Sequence, residues 1–314
     1  MSLQFDVIND PPADSELWKA WARLVDQEKW TSDDNSVTTL TPGLASTRSV
    51  WAVTKEDRSF IGTVVWNEYD NICFLGFFLL APEYRGKGCG MTIWKAAIDR
   101  MPKEFNLGLR GVPAMAEKYQ KMSTPIIGTR LDNYECSAEE FQKLIWAKDV
   151  QIHPAKLVRD LSSEEWQKLL DYDKRINARD RHEFLELFYK TLDITEGLVL
   201  FDDAHNIIAH IGAVPTAAKE DKLLKIAPLY ADSDSVAISA IAQFTKILSE
   251  KKPDFKILFH ILSTEKGDFL AEIFKSFNLE SHTSGLTLYS KNIPNFGTES
   301  QVYIPHNNSC HYDY

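Results

Sequence analysis

The sequence predicts an alternating α/β fold with a mixed α+β sheet, built twice in tandem, and three observations carry that prediction. Ile72 to Leu79 is an apolar strand that runs through a glycine-rich loop into a helix, Met91 to Met101. Strand-like and helical stretches follow one another through the first half in the order β-α-β-β-β-α-β-α-β. From Lys156 onward the same order begins again.

Phe5 to Ile8 reads as a short strand. Ser15 to Trp30 reads as an amphipathic helix, with Leu17, Trp21, Leu24 and Val25 on one face and Ser15 as N-cap. A polar stretch, Thr31 to Ser36, leads toward Val50 to Val53 and Ile61 to Trp66, β-branched and aromatic strands joined through Asp57-Arg58. After the strand, loop and helix already named come Phe105 to Leu109 as strand, Ala114 to Met122 as helix and Ile126 to Leu131 as strand. Glu139 to Ala147 fits either a helix or a last strand. In the second half Lys156 to Leu161 is strand-like, and Ser163 to Tyr172 and Arg181 to Thr191 are helical. Gly197 to Phe201 and Ile207 to Val214 form a hairpin around residues 202–206. Leu223 to Tyr230, Phe255 to Leu262 and Leu286 to Tyr289 are strands, separated by helices Ser235 to Leu248 and Phe269 to Phe277. One local alignment supports a duplication, Leu80-Ala81-Pro82-Glu83-Tyr84 over Ile226-Ala227-Pro228-Leu229-Tyr230.

With 314 residues, 44% hydrophobic and 25% charged, the chain has the composition of a globular protein of two medium domains. A net charge of −10 argues against a general nucleic-acid binder and tilts toward neutral or cationic substrates. The four cysteines, Cys73, Cys89, Cys136 and Cys310, lack pair or metal spacing. With no secretory signal and no run approaching the ~18 apolar residues of a membrane span, the expectation is a reduced, cytoplasmic protein without membrane or metal. His306 to His311 with Cys310 lacks a second ligand pair and reads as a chain end.

The stretch Arg85-Gly86-Lys87-Gly88-Cys89-Gly90 bares the backbone where a helix begins. Unpaired N–H groups and the positive end of the helix dipole favour a phosphate there, beside the charges of Arg85 and Lys87. A Walker loop would need Ser or Thr after Gly-Lys, and Gly88 stands there. A dinucleotide fingerprint would need other glycine spacing in a first βα unit.

Strand, Arg-x-x-Gly-x-Gly and helix together resemble the pyrophosphate-binding motif of the GNAT superfamily of acyl-CoA-dependent N-acyltransferases, with Arg85, Gly88 and Gly90 on its defining positions. The resemblance spans about residues 3–135 and implies a central mixed sheet flanked by helices. It divides the chain into a GNAT domain at 1–148, a degenerate GNAT-like domain at 149–292 and a tail at 293–314. It implies acetyl-CoA, or another short acyl-CoA, as the acyl donor. The expected acceptor is an amine-bearing small molecule or peptide. Residues Arg85 to Gly90 would hold the pyrophosphate, and the backbone of Leu80 would bind the pantetheine or thioester carbonyl.

The family's helix pattern Asn-x-x-Ala-x-x-x-Tyr-x-x-x-Gly-Phe places Tyr119 as the acid that protonates the departing thiolate; packing against the sheet is the other reading. Ser123 and Thr124 replace the pattern's Gly-Phe. For the base, Glu68 and then Asp70 are the nearest carboxylates, with solvated strand ends as the alternative and a turn at Asp70-Asn71. Cys89 reads as packing, because direct transfer needs no acyl-cysteine. Asp171, Asp173 and Arg181 are either groove-lining or solvated charges.

In the second half Ala231, Asp234 and Val236 stand against Arg85, Gly88 and Gly90, and Phe274 stands against Tyr119. Carboxylates at Asp232 and Asp234 would repel a pyrophosphate, so one donor site per chain is expected. The alternative to an enzyme is a non-catalytic acyl-CoA-binding or regulatory module on the same fold.

Overall fold

The computed structural model describes residues 4–28, 36–191, 193–217, 222–294 and 297–306. Trp30, most of the stretch after it and the tail beyond His306 lie outside the described residues. The chain resolves into two compact units, and their composition departs from the division at 148/149.

The first unit holds β1 (Phe5–Asn9), α1 (Glu16–Glu28), the single turn α2 (Val37–Leu40), β2 (Thr47–Thr54), β3 (Phe60–Tyr69) and β4 (Ile72–Leu80). It continues through α3 (Cys89–Arg100), β5 (Asn106–Gly111) and α4 (Pro113–Met122). β1 to β4 pair antiparallel in sequence order, and β5 joins β4 in parallel. The apolar stripe of α1 (Trp18, Trp21, Leu24, Val25) is buried. Trp18 packs edge-on to Trp51 at 4.8 Å, and Trp21 packs on Phe77 at 4.9 Å. On the other face, Ile93, Trp94 and Ala97 of α3 and Ala116 of α4 close over Val50, Val64, Leu75 and Leu109.

The second unit contains most of β6 (Ile126–Ser137), α5 (Ala138–Trp146), β7 (Ala155–Leu157), α6 (Ser163–Asn177) and α7 (His182–Glu186), whose helix runs on as a π turn to Thr191. After these come β8 (Glu196–Phe201), β9 (Ile207–Pro215), β10 (Leu223–Ala231), α8 (Asp234–Lys251), β11 (Lys256–Leu262), α9 (Glu265–Ser276), β12 (Ser281–Tyr289) and β13 (Val302–Ile304). Glu139 to Ala147 is therefore helical, capped by Ser137, whose hydroxyl accepts from the Glu140 amide. The strand expected over Lys156 to Leu161 stops at Leu157 and becomes a 3₁₀ turn. α6 opens with a full capping box, Ser162 with Glu165.

The repeat is real but its halves trade strands. Leu286–Tyr289 of β12 pairs with Gly108–Gly111 of β5 inside the first unit. Leu131–Ser137 of β6 pairs with Lys256–Leu262 of β11 inside the second. The first half thus lends most of β6, and the second half the end of β12, to the other's unit. The alternation of apolar residues makes either pairing equally acceptable to a strand, so local sequence could not choose between them.

Candidate functional site

The loop's geometry follows from a bulge in β4. The β3–β4 register steps from Val65↔Phe77 to Trp66↔Leu75, leaving Gly76 as the extra residue. β4 pairs with β5 only from Ile72 to Leu75, and from there the two strands part. Ala81 donates its N–H to Ile61 on β3 at 2.9 Å. Strand amides alternate in direction, so the N–H groups of Phe78 and Leu80 point away from β3, toward the parted side. This is where the sequence reading puts the Leu80 donor; Phe78 joins it.

Between Leu80 and α3 lie eight residues, Ala81 to Gly88. Gly86 and Gly88 take left-handed φ values of 75° and 87°, and a Cβ on either would meet nothing within 4 Å. Gly88 is the N-cap of α3 and offers no side-chain cap to the first amides of the helix. Gly90 is needed for a different reason: a Cβ there would lie 2.9 Å from Leu80 Cδ1 and 3.3 Å from Phe78 Cζ. Lys87 stands over the Tyr84 ring, its Nζ 5.7 Å from the centroid. Arg85 does not point freely outward. Its Nε donates to the Leu80 carbonyl at 3.0 Å, and its guanidinium pairs with Glu28 at the end of α1. The Cys89 thiol is buried and donates weakly to the Tyr84 carbonyl, and burial raises its pKa, which fits packing rather than a nucleophile.

Tyr119 lies on α4, its ring stacked on Trp94 at 5.4 Å and its edge against Gly111, where a Cβ would approach to 3.0 Å. Burial pushes its pKa up to about 12, so the hydroxyl carries its proton at neutral pH. The Thr124 amide reaches back to the Tyr119 carbonyl at 3.0 Å, and the Leu279 amide does the same to Phe274 at 3.1 Å. The two helix ends are thus equivalent, which aligns Phe274 with Tyr119. Phe274 is buried among Tyr134, Phe141 and Phe259.

Glu68 is not brought to this place. It pairs in register with Cys73, seven residues from Leu80 along β4, or about 23 Å at strand rise. Its carboxylate accepts from the Trp66 indole at 3.0 Å and sits 3.4 Å from Arg48. Asp70 makes the hairpin turn, with φ 46°. Asp173 and Arg181 line no groove: they are fully buried, ion-paired to each other, and Arg181 also donates to the Tyr230 hydroxyl at 3.0 Å. Asp171 accepts from Gln167 on the surface.

The second unit repeats the parting of strands and then fills it. β10 pairs with β11 from Leu223 to Ile226, and its bulge falls at Ala227-Pro228. Ile226 is therefore the counterpart of Leu75, not of Leu80, so the local alignment over Ala-Pro is displaced and Ala231 ends the strand as Leu80 does. Only Asp232 and Ser233 separate β10 from α8, two residues in place of eight. Beside Leu229 and Tyr230 the chain's own β13 pairs with β10. Tyr303 donates to Asp234, Gln301 donates to Asp232 at 2.6 Å, and Lys266 pairs with Asp234 at 2.9 Å. His306 follows, buried edge-on to Phe184 and Phe188. Sequence reasoning missed this strand, although Val302-Tyr303-Ile304 carries strong β propensity.

The sequence profile of the acetyltransferase (GNAT) family matches residues 15–115. An uncharacterized protein of Caenorhabditis elegans is 52% identical over 99% of both chains. The holothin acyltransferase of a Pseudoalteromonas species is 22% identical over 82% of this chain and 87% of its own. Among solved structures, a tandem GNAT protein from the clavulanic acid biosynthesis pathway superposes with a TM-score of 0.67 at 12% identity, over 93% of this chain and all of that one. An acetyltransferase of Pyrococcus horikoshii does so with 0.65 at 15% identity, over 96% and 94%. Among the described residues no helix is long and apolar enough to cross a membrane. The glycine loop at a parted strand and its repetition in altered form agree with these likenesses: the chain belongs to the GNAT acetyltransferase family and carries that fold twice.

Proposed function

We propose that the first unit transfers an acetyl or other short acyl group from acyl-CoA to the primary amine of a small molecule or peptide. The observation that carries this reading is the contrast between the units. One parted strand ends in an open eight-residue glycine loop, and the other ends in two residues and a strand that fills the gap. The pyrophosphate would sit on the amides from Gly86 to Gly90, with Lys87 beside it. The thioester carbonyl would lie against the parted β4 amides.

The neutral amine attacks the carbonyl carbon and a C–N bond forms while negative charge gathers on oxygen. Collapse breaks the C–S bond, and the electron pair leaves on sulfur. Tyr119, protonated at neutral pH, supplies the proton to that thiolate and takes one back from solvent, which has received the amine's proton. The amine's proton passes to water, since neither β4 nor β5 carries a carboxylate. That same absence favours the second reading, an acyl-CoA-binding module without turnover.

Calorimetric titration with CoA, and thiol release from acetyl-CoA over a panel of amines and peptides, separate the readings. One site with amine-dependent thiol release supports the transferase. One site without release supports the binding module. Two equivalent sites, or none, would overturn the assignment of the donor to the first unit.

A further inference from the structure

We infer that Glu28 sets how tightly the donor is held, by balancing the charge of Arg85 at the mouth of the parted strands. The inference rests on the donor reading of the glycine loop. Leu80 presents its carbonyl, like its amide, on the side where β4 has left β5, and Arg85 Nε binds that carbonyl at 3.0 Å. The guanidinium therefore stands at the mouth of the opening, and its partner Glu28 stands there with it.

Glu28 is an unlikely residue for its position on local grounds. It is the last described residue of α1, toward the negative end of the helix dipole, and among the described residues no basic side chain occupies that final turn. Its side chain is only 22% exposed, and Arg85 is its ion-pair partner. Burial of Trp18, Trp21, Leu24 and Val25 already docks α1. What it does is charge chemistry. A pyrophosphate arriving at Gly86 to Gly90 meets an arginine whose charge is already met, and a carboxylate that repels it.

The consequence is a donor site with attenuated affinity, which favours departure of product CoA after each turnover. Glu28 thus acts on the donor by cancelling the charge of Arg85.

The test uses the full chain. Glu28→Gln should bind CoA about three- to tenfold more tightly, with dissociation slowed by a similar factor in stopped flow. The gain should shrink as salt rises. Adding Arg85→Gln to that variant should return CoA affinity to that of the wild type, and Arg85→Gln alone, which leaves the Glu28 carboxylate without its cation, should weaken CoA about three- to tenfold. Equal or weaker binding by folded Glu28→Gln overturns the inference. If Glu28→Gln does not fold, Arg85→Gln decides, and CoA affinity within about twofold of the wild type refutes the idea that the charge balance of this pair sets donor affinity. No CoA binding by the wild-type chain would remove the donor reading itself, and this inference with it.

Discussion

Replacing Gly88 by glutamate separates the loop's binding role from its role in the fold. Gly88 has φ 87° and ψ −17° at the N-cap of α3, and nothing lies within 4 Å of where a Cβ would be. The side chain meets no clash, so the cost to folding is the left-handed backbone alone, about 1–2 kcal/mol. For a unit of this size that lowers Tm by several degrees and leaves the fold standing. Binding suffers far more. A carboxylate ~5 Å from one phosphate charge, at an effective dielectric near 20, repels it by about 3 kcal/mol. That corresponds to more than a hundredfold in Kd. Gly88→Ala carries the same backbone strain without the charge and serves as the control. Calorimetry with CoA, beside thermal unfolding of both variants, makes the comparison. A folded Gly88→Glu chain with CoA affinity within twofold of the alanine variant would refute the phosphate assignment.

Tyr119→Phe keeps the stack on Trp94 and removes only the proton donor, so turnover should fall ~10²–10⁴ with CoA affinity unchanged, as single-turnover rates and calorimetry would show. Because burial raises this phenol to about 12, the acid is present below that pH and lost above it, so no fall in rate near pH 10 should trace to Tyr119 in the wild-type pH profile. A chain ending at residue 148 lacks Leu286–Tyr289 beside β5 and should unfold without cooperativity in circular dichroism; co-expression with 149–314 should restore a sharp transition. Asp173→Ala leaves the Arg181 guanidinium buried without its carboxylate and should cost about 3–5 kcal/mol in denaturant unfolding, without changing CoA stoichiometry.

Much of this was legible from local chemistry alone. The apolar run Ile72 to Leu79, the glycines at 86 and 88 and the helix after them are local features. A left-handed turn, an open helix start and a buried strand are each dictated by a few adjacent residues. Phe274 in place of the tyrosine was readable for the same reason. What the sequence could not determine was long-range pairing. Strand alternation fits many partners, so the exchange of β6 and β12 between units appears only in the tertiary structure. Glu68 was attractive by its nearness in sequence, yet an antiparallel hairpin carries it to the end of β4 opposite the loop. Asp173 and Arg181 read as surface charges because helix periodicity does not reveal a buried partner eight residues on. The plug of the second unit was hidden for a related reason. Val302–Ile304 is short, and only closure of the chain over more than seventy residues lays it beside Leu229 and Tyr230.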